Sequence, residues 1–206
     1  MSKRRKRAGR NPAEQQGPQP RRRLPAPNPS EHSSPRMLVY ALLTVSVFIG
    51  LYLHVYALPQ LTYFADGLTM PDARITGYSA ADITALREAL QDDAAGQLNF
   101  LHKTAGIIFP VALFLATWAT LGLLARGRWR WAVIIGAAVF AVLDIAENFL
   151  IDRILVQQPL EKALVSTASA LTTLSWALLM VIGVVVVVFI LRDIVLAARR
   201  PSHQSP

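Results

Sequence analysis

The chain has 206 residues, 53% of them hydrophobic, with no cysteine and a net charge of +8. Charged residues make up 17%, below the roughly 25% of a soluble domain. The lack of cysteine excludes disulfides, thiol catalysis and thiolate ligation of zinc or iron–sulfur clusters.

The charge excess lies wholly in residues 1–36, where ten Lys or Arg face only Glu14 and Glu31. This stretch is rich in Pro, Arg, Gln and Ser and almost free of large apolar groups. It cannot bury enough surface to offset its ordering entropy, so it is expected to be a disordered basic tail. K-R-R-K-R and R-R-R could contact the phosphates of nucleic acid. A basic stretch beside an apolar block more simply sets membrane orientation and holds anionic lipid head groups, and we adopt that reading over nucleic acid. The charged region is too long for a signal peptide, and so is the block after it, against the 7–15 residues of a signal core.

Four apolar blocks follow, at about 37–58, 104–125, 131–151 and 165–191. About 20 helical residues cross a hydrocarbon core of roughly 30 Å. None shows the period-2 alternation of a membrane β-strand. The expected fold is therefore all-α: a polytopic membrane four-helix bundle over 37–191, with a short tail at 192–206. Counting Lys and Arg gives the threading. The N-terminus, the R-G-R-W-R connection (126–130) and the C-terminus carry the positive charge and are expected in the cytoplasm. The loop 59–103 is acidic on balance and is expected outside.

A loop of that length should hold structure of its own. Ser79 has the character of an N-cap, with Asp82 three residues on. Ile83, Leu86 and Leu90 follow at helical spacing, with Arg87, Asp92 and Asp93 on the other side. An amphipathic extracytoplasmic helix is expected over about 80–94, ending near Gly96. Its apolar stripe would rest on the bundle or on the membrane surface. It is either a structural cap, or a lid or docking surface for a partner protein in the membrane. Pro59, Gly67, Pro71 and Gly77 read as turns on the way to it.

The third block ends in V-L-D-I-A-E-N-F-L-I-D-R-I (142–154). Taking Asp144 as zero, Glu147 lies at about −60°, Asn148 at about +40° and Asp152 at about +80°. The four share one face, and a carboxylate facing lipid costs several kcal/mol, so this face should point into the bundle or a wet cavity. In the threading above it lies in the outer third of the helix. His54 lies at that level on helix one, and His102 and Lys103 at the start of helix two. Ser and Thr residues open helix four, whereas V-I-G-V-V-V-V-V-F-I (181–190) deeper in it has no polar side chain. A pocket open to the extracytoplasmic side is expected rather than a pore. Pro110 falls inside helix two and either kinks it or is tolerated there as membrane prolines are.

Several chemistries fit these residue types. Asp144 or Glu147 could pair internally with His54, His102 or Lys103, while Asn148 links helices. The pocket could bind a small cation, an amphiphile or a lipid head group. His54, His102 and the carboxylates could hold a metal, although no H-E-x-x-H or E-x-x-H motif is present. A haem between His54 and His102, or acid–base chemistry at Glu147, would make the protein a membrane enzyme or redox protein. Ion or solute transport would need a polar lining deeper in the bundle. No nucleophile elbow, phosphate loop or dinucleotide fingerprint occurs.

P-D-A-R-I-T-G-Y-S (71–79), I-F-P (108–110) and L-D-I-A-E-N (143–148) resemble a pattern in small bacterial four-span integral membrane proteins. That family has a G-Y-S start to an outer-loop helix, an F-P in span two and a D-x-x-E-N in span three. The resemblance covers 37–191 and implies a bacterial plasma-membrane protein of this architecture. It implies no activity, catalytic residue or cofactor.

Overall fold

The computed structural model describes residues 34–90 and 93–199; the basic tail expected over most of 1–36 and the residues from 200 onward lie outside that range. The described residues contain helices and no strand. α1 (Pro35–Leu51) runs through a π-helical segment (Tyr52–Ala57) into α2 (Leu58–Tyr63). A 3-10 turn (Pro71–Ala73) and α3 (Ala80–Ala89) follow. α4 (Ala94–Lys103) leads across Thr104 into α5 (Ala105–Leu124). α6 (Trp129–Val156) and α7 (Lys162–Ala198) complete the bundle.

Four helical rods are long and apolar enough to cross a membrane: Pro35–Tyr63, Ala94–Leu124, Trp129–Val156 and Lys162–Ala198. They contain 29, 31, 28 and 37 residues, each more than the roughly 20 that suffice. The all-α bundle expected from the apolar blocks is thus present, with wider bounds. The first helix begins at Pro35, where proline suits the first turn, so Arg36 belongs to the helix and not to the tail. The fourth continues to Ala198 through the stretch assigned to the tail at 192–206. The third passes Ile151 because the polar groups beyond it find partners: Asp152 on His102, and Arg153 on Gln157 four residues on.

Pro59 is not a turn, as expected above. The helix continues through it to Tyr63. Without an N–H, proline leaves the carbonyl four residues back unpaired. The chain answers with a local slip to wider bonding, and the Leu58 N–H donates to Leu53 O, five residues away. His54 lies in this π-helical segment.

α1 packs on α5, α5 on α6 and α6 on α7, while α5 also meets α7. Successive rods run in opposite directions, and two ends are distinguishable. The loop end carries 64–90 and the α6–α7 connection. The arginine end carries Arg36, the α5–α6 connection and Arg192.

The loop is fastened to the bundle. Met70 is fully buried among Leu61, Leu86 and Leu98. At Gly77, with φ +85°, a Cβ would lie 2.5 Å from Ser169 Oγ. Only glycine both reaches that conformation and leaves room for Tyr78 N–H to donate to Ser169 Oγ at 2.8 Å. α3 starts at a capping box between Ser79 and Asp82, as its sequence predicts. It ends at Ala89, short of the expected 94, and Gly96 lies inside α4 instead. Ile83 packs against Ile154, Val165 and Ala168, so the apolar stripe rests on the bundle. Arg87, assigned above to the opposite side, also turns inward. Its guanidinium donates to Ile154 O and to Gln157 O, the second at 2.5 Å. These carbonyls terminate α6 and lack helical donors, which a cation at a helix C-terminus satisfies.

Candidate functional site

The polar residues at the loop end form two connected groups. The first is built around His102, on the last turn of α4 and only 5% exposed. Its Nδ1 faces Asp152 Oδ1 at 2.6 Å and its Nε2 faces Asp72 Oδ1 at 2.9 Å. A neutral imidazole has one N–H, so the doubly protonated ring is the form that donates to both carboxylates. Asn99 Nδ2 donates to Asp152 Oδ2 at 2.6 Å, and Lys103 Nζ donates to Asn99 Oδ1 at 2.7 Å.

Asp72 comes from the 3-10 turn of the loop. Trp176 Nε1 on α7 donates to its backbone carbonyl at 2.9 Å. Burial alone would push the Asp72 carboxyl up. The charge of His102 and its hydrogen bond outweigh this and hold it below the usual carboxylate range. Asp72 Oδ2 is buried with no hydrogen-bond partner among the described residues. Tyr78, on the same loop, is pushed well above the ordinary phenol range, first by burial.

The second group is a cavity of about 40 Å3 between the four rods. One water needs roughly 10–15 Å3 measured this way, so the space suits a few waters or one small ion. Asp144 and Glu147, three residues apart on α6, both line it. Glu147 is only 4% exposed. Neither carboxylate has an ion pair among the described residues, and the hydroxyls of Thr172 and Ser175 are the hydrogen-bonding groups nearest Glu147. The lining they share holds four aromatic rings, His54, Phe109, Phe140 and Trp176, together with the polar groups of Asp72, His102, Asn148 and Ser175. The His54 and Trp176 rings meet edge-on with centroids 5.0 Å apart. His54 Nδ1 lies 3.0 Å from Gly50 O, which fixes that nitrogen as the donor and leaves Nε2 free. Phe109, Phe140 and Leu179 are the lining residues furthest from the loop, so the cavity stops there.

Asn148 has a different task. Pro110 cannot donate to Gly106 O, four residues before it on α5. Asn148 Nδ2 donates to that carbonyl at 3.1 Å, joining α6 to α5. A Cβ at Gly106 would lie 2.8 Å from Asn148 Nδ2, so any larger residue there would have to push the amide off this carbonyl. Pro110 itself sits inside an uninterrupted α5, and the break in the rod falls at Thr104.

The residues singled out from sequence therefore divide. Asp144, Glu147, Asn148, His54 and His102 line the cavity. Asp152 touches the cluster through His102 without lining the cavity. Lys103 does not join the pocket: it is exposed and holds Asn99. Its place at the end of α4 turns its long chain outward. Asp72, Ser175 and Trp176 line the cavity and were not singled out. Asp72 stands in the P-D-A-R-I-T-G-Y-S stretch, and Thr172, Ser175 and Trp176 share one helical face, which is the signal that was available.

The donor geometry bears on cofactors. Among the described residues no group of three or more His, Asp or Glu converges as a metal site. Both His102 nitrogens are held by carboxylates, so neither is free to ligate a haem iron, and the cavity is far smaller than a porphyrin. No protein-family model, curated protein or solved structure matches the chain.

Proposed function

We propose that this is a non-enzymatic binding protein of the bacterial plasma membrane, with both termini in the cytoplasm, whose cavity opens to the extracytoplasmic side and takes a small ammonium-type cation. The single observation behind the ligand class is the pair Asp144 and Glu147, without an ion pair among the described residues, in a cavity partly lined by aromatic rings. Buried carboxylates call for a positive partner, and aromatic faces attract cations without binding their counter-ions. Without a chelating cluster, the site suits a monovalent ammonium group better than a multivalent metal. His102 is committed to Asp72 and Asp152, so it holds the loop down instead of competing as a cation. The location rests on the distribution of Lys and Arg and on the resemblance to bacterial four-span proteins.

Thermal unfolding of the detergent-solubilised protein tests the ligand. Ammonium or methylammonium should raise the transition saturably, by about 2.7 kcal/mol at a hundred times Kd. Choline, too large for the cavity, should not. Glu147→Gln should abolish the response. An equal response to sodium, choline and ammonium, or an unchanged response in Glu147→Gln, would sink the reading.

A further inference from the structure

The arginine end carries a second site, independent of the cavity just described. Arg36, Arg126 and Arg192 converge there on a cavity of about 440 Å3 beside Trp129, with Asp193 as the only acidic lining residue among the described residues. Arg36 pairs with Asp193 at 3.2 Å, tying α1 to α7. Arg126 and Arg192 have no ion pair or side-chain hydrogen bond among the described residues. The backbone of Arg126 is held by Trp129, whose Nε1 donates to its carbonyl at 3.0 Å. Trp129 in turn stacks on Phe189.

An apolar groove adjoins this basic cavity, and Arg36, Asp193, Tyr40 and Ile190 close the narrow cleft between the two. The groove, of about 640 Å3, lies between α1 and α7 and is lined by Tyr40, Phe48, Leu51 and Val187 among others. The groove exists because α1 packs on α5, and α7 on α6 and α5, with little contact between α1 and α7. From Tyr40 to Leu51 it runs eleven residues, or about 17 Å at 1.5 Å per residue. Half of a hydrocarbon core is roughly 15 Å.

We infer that this end binds one anionic glycerophospholipid, with its phosphate on Arg36, Arg126 and Arg192 and one acyl chain in the groove between α1 and α7. Guanidinium groups suit phosphate oxygens, and a surplus of positive charge over Asp193 demands an anionic head group. A groove one leaflet deep that starts at a basic cavity fits a lipid better than a free anion.

Native mass spectrometry of the full chain in non-ionic detergent tests this with phosphatidylglycerol and phosphatidylcholine of equal chain length. One phosphatidylglycerol should be retained per protein and phosphatidylcholine should not. Each charge near a membrane surface is worth about fivefold in affinity, so R126Q/R192Q should bind about thirtyfold more weakly. R126K/R192K should keep the preference. Both arginines are exposed, so an unchanged unfolding transition is expected in either variant. Val187→Trp, which fills the groove, should release the long-chain lipid while short-chain phosphatidylglycerol still binds. Equal retention of the two lipids, or wild-type binding by R126Q/R192Q, overturns the inference. So does stabilisation by inorganic phosphate that matches the lipid's, or a stable dimer that Val187→Trp dissociates.

Discussion

The two ends of the bundle handle charge in opposite ways. At the loop end, His102, Asp72, Asp152 and Asn99 are turned on one another and largely removed from solvent. At the arginine end, Arg36, Arg126 and Arg192 face outward, and among the described residues only Arg36 of the three has an ionic partner. The same residue types therefore carry different energies. Removing one member of a buried charged group strands the others, while removing an exposed charge costs little. The loop end depends on its charges for its structure; the arginine end can hold its charges ready for something else.

The largest effect should come from His102→Ala. It strands Asp72 and Asp152 and should lower stability by about 3–5 kcal/mol in chemical unfolding in detergent micelles. A loss no larger than that of an exposed ion pair would erase the contrast between the ends. Asn148→Leu comes next, at about 1–2 kcal/mol, because Gly106 O loses its donor. That cost depends on Pro110. In a Pro110→Ala background the backbone N–H returns, and Asn148→Leu should become nearly neutral. A double-mutant cycle measures the coupling, and simple additivity would refute the link between proline and asparagine.

The third effect is acid sensitivity confined to one end. Asp72 is held below the usual carboxylate range by His102, although burial opposes this. Asp82 is lowered to about 2, chiefly by the Ser79 hydroxyl and backbone N–H and then by Arg74. A folded pKa below the unfolded one gives stability that is complete above the unfolded value of about 4 and lost as pH falls below it. Loop 64–90 should thus become protease-sensitive below about pH 4 while the arginine end stays protected. Asp72→Asn should make the loop easier to cleave at neutral pH and flatten the acid limb. Uniform opening of both ends on one pH curve would contradict the division. The smallest effect belongs to Arg36→Gln. It breaks a solvent-exposed pair and should change stability by at most about 1 kcal/mol.

The fold was legible because hydropathy alone marks the rods, and the polar face of α6 was legible because 100° spacing gathers Asp144, Glu147 and Asn148. The capping box at Ser79 could be read in advance for the same local reason. What escaped depends on long-range placement. Asp72 reaches His102 across thirty residues because Trp176 and Gly77 fix the loop on α7. Nothing local in P-D-A shows that. Arg87 has the helical phase of a solvent-facing residue, yet its long side chain bends back to the end of α6. Lys103 differs from His102 by one position, and one position rotates a side chain by about 100°. Pro59 reads as a turn and Pro110 as either a kink or a tolerated membrane proline, and each is absorbed, one by a π-helical slip and one by Asn148.

The π-helical segment at Tyr52–Ala57 has a consequence for how the chain can vary. A π turn is equivalent to one residue inserted into an α-helix. It sets the first rod's two halves out of phase by about 100°. His54 and Leu58 meet the cavity while Tyr40 and Phe48 line the groove beside α7, and the offset reconciles those two demands in one helix. Deleting a single residue within 52–57 would restore a plain α-helix and bring the halves into register. It would then rotate one face away from its site, and the two ends of the protein would lose their common alignment without any charge being changed.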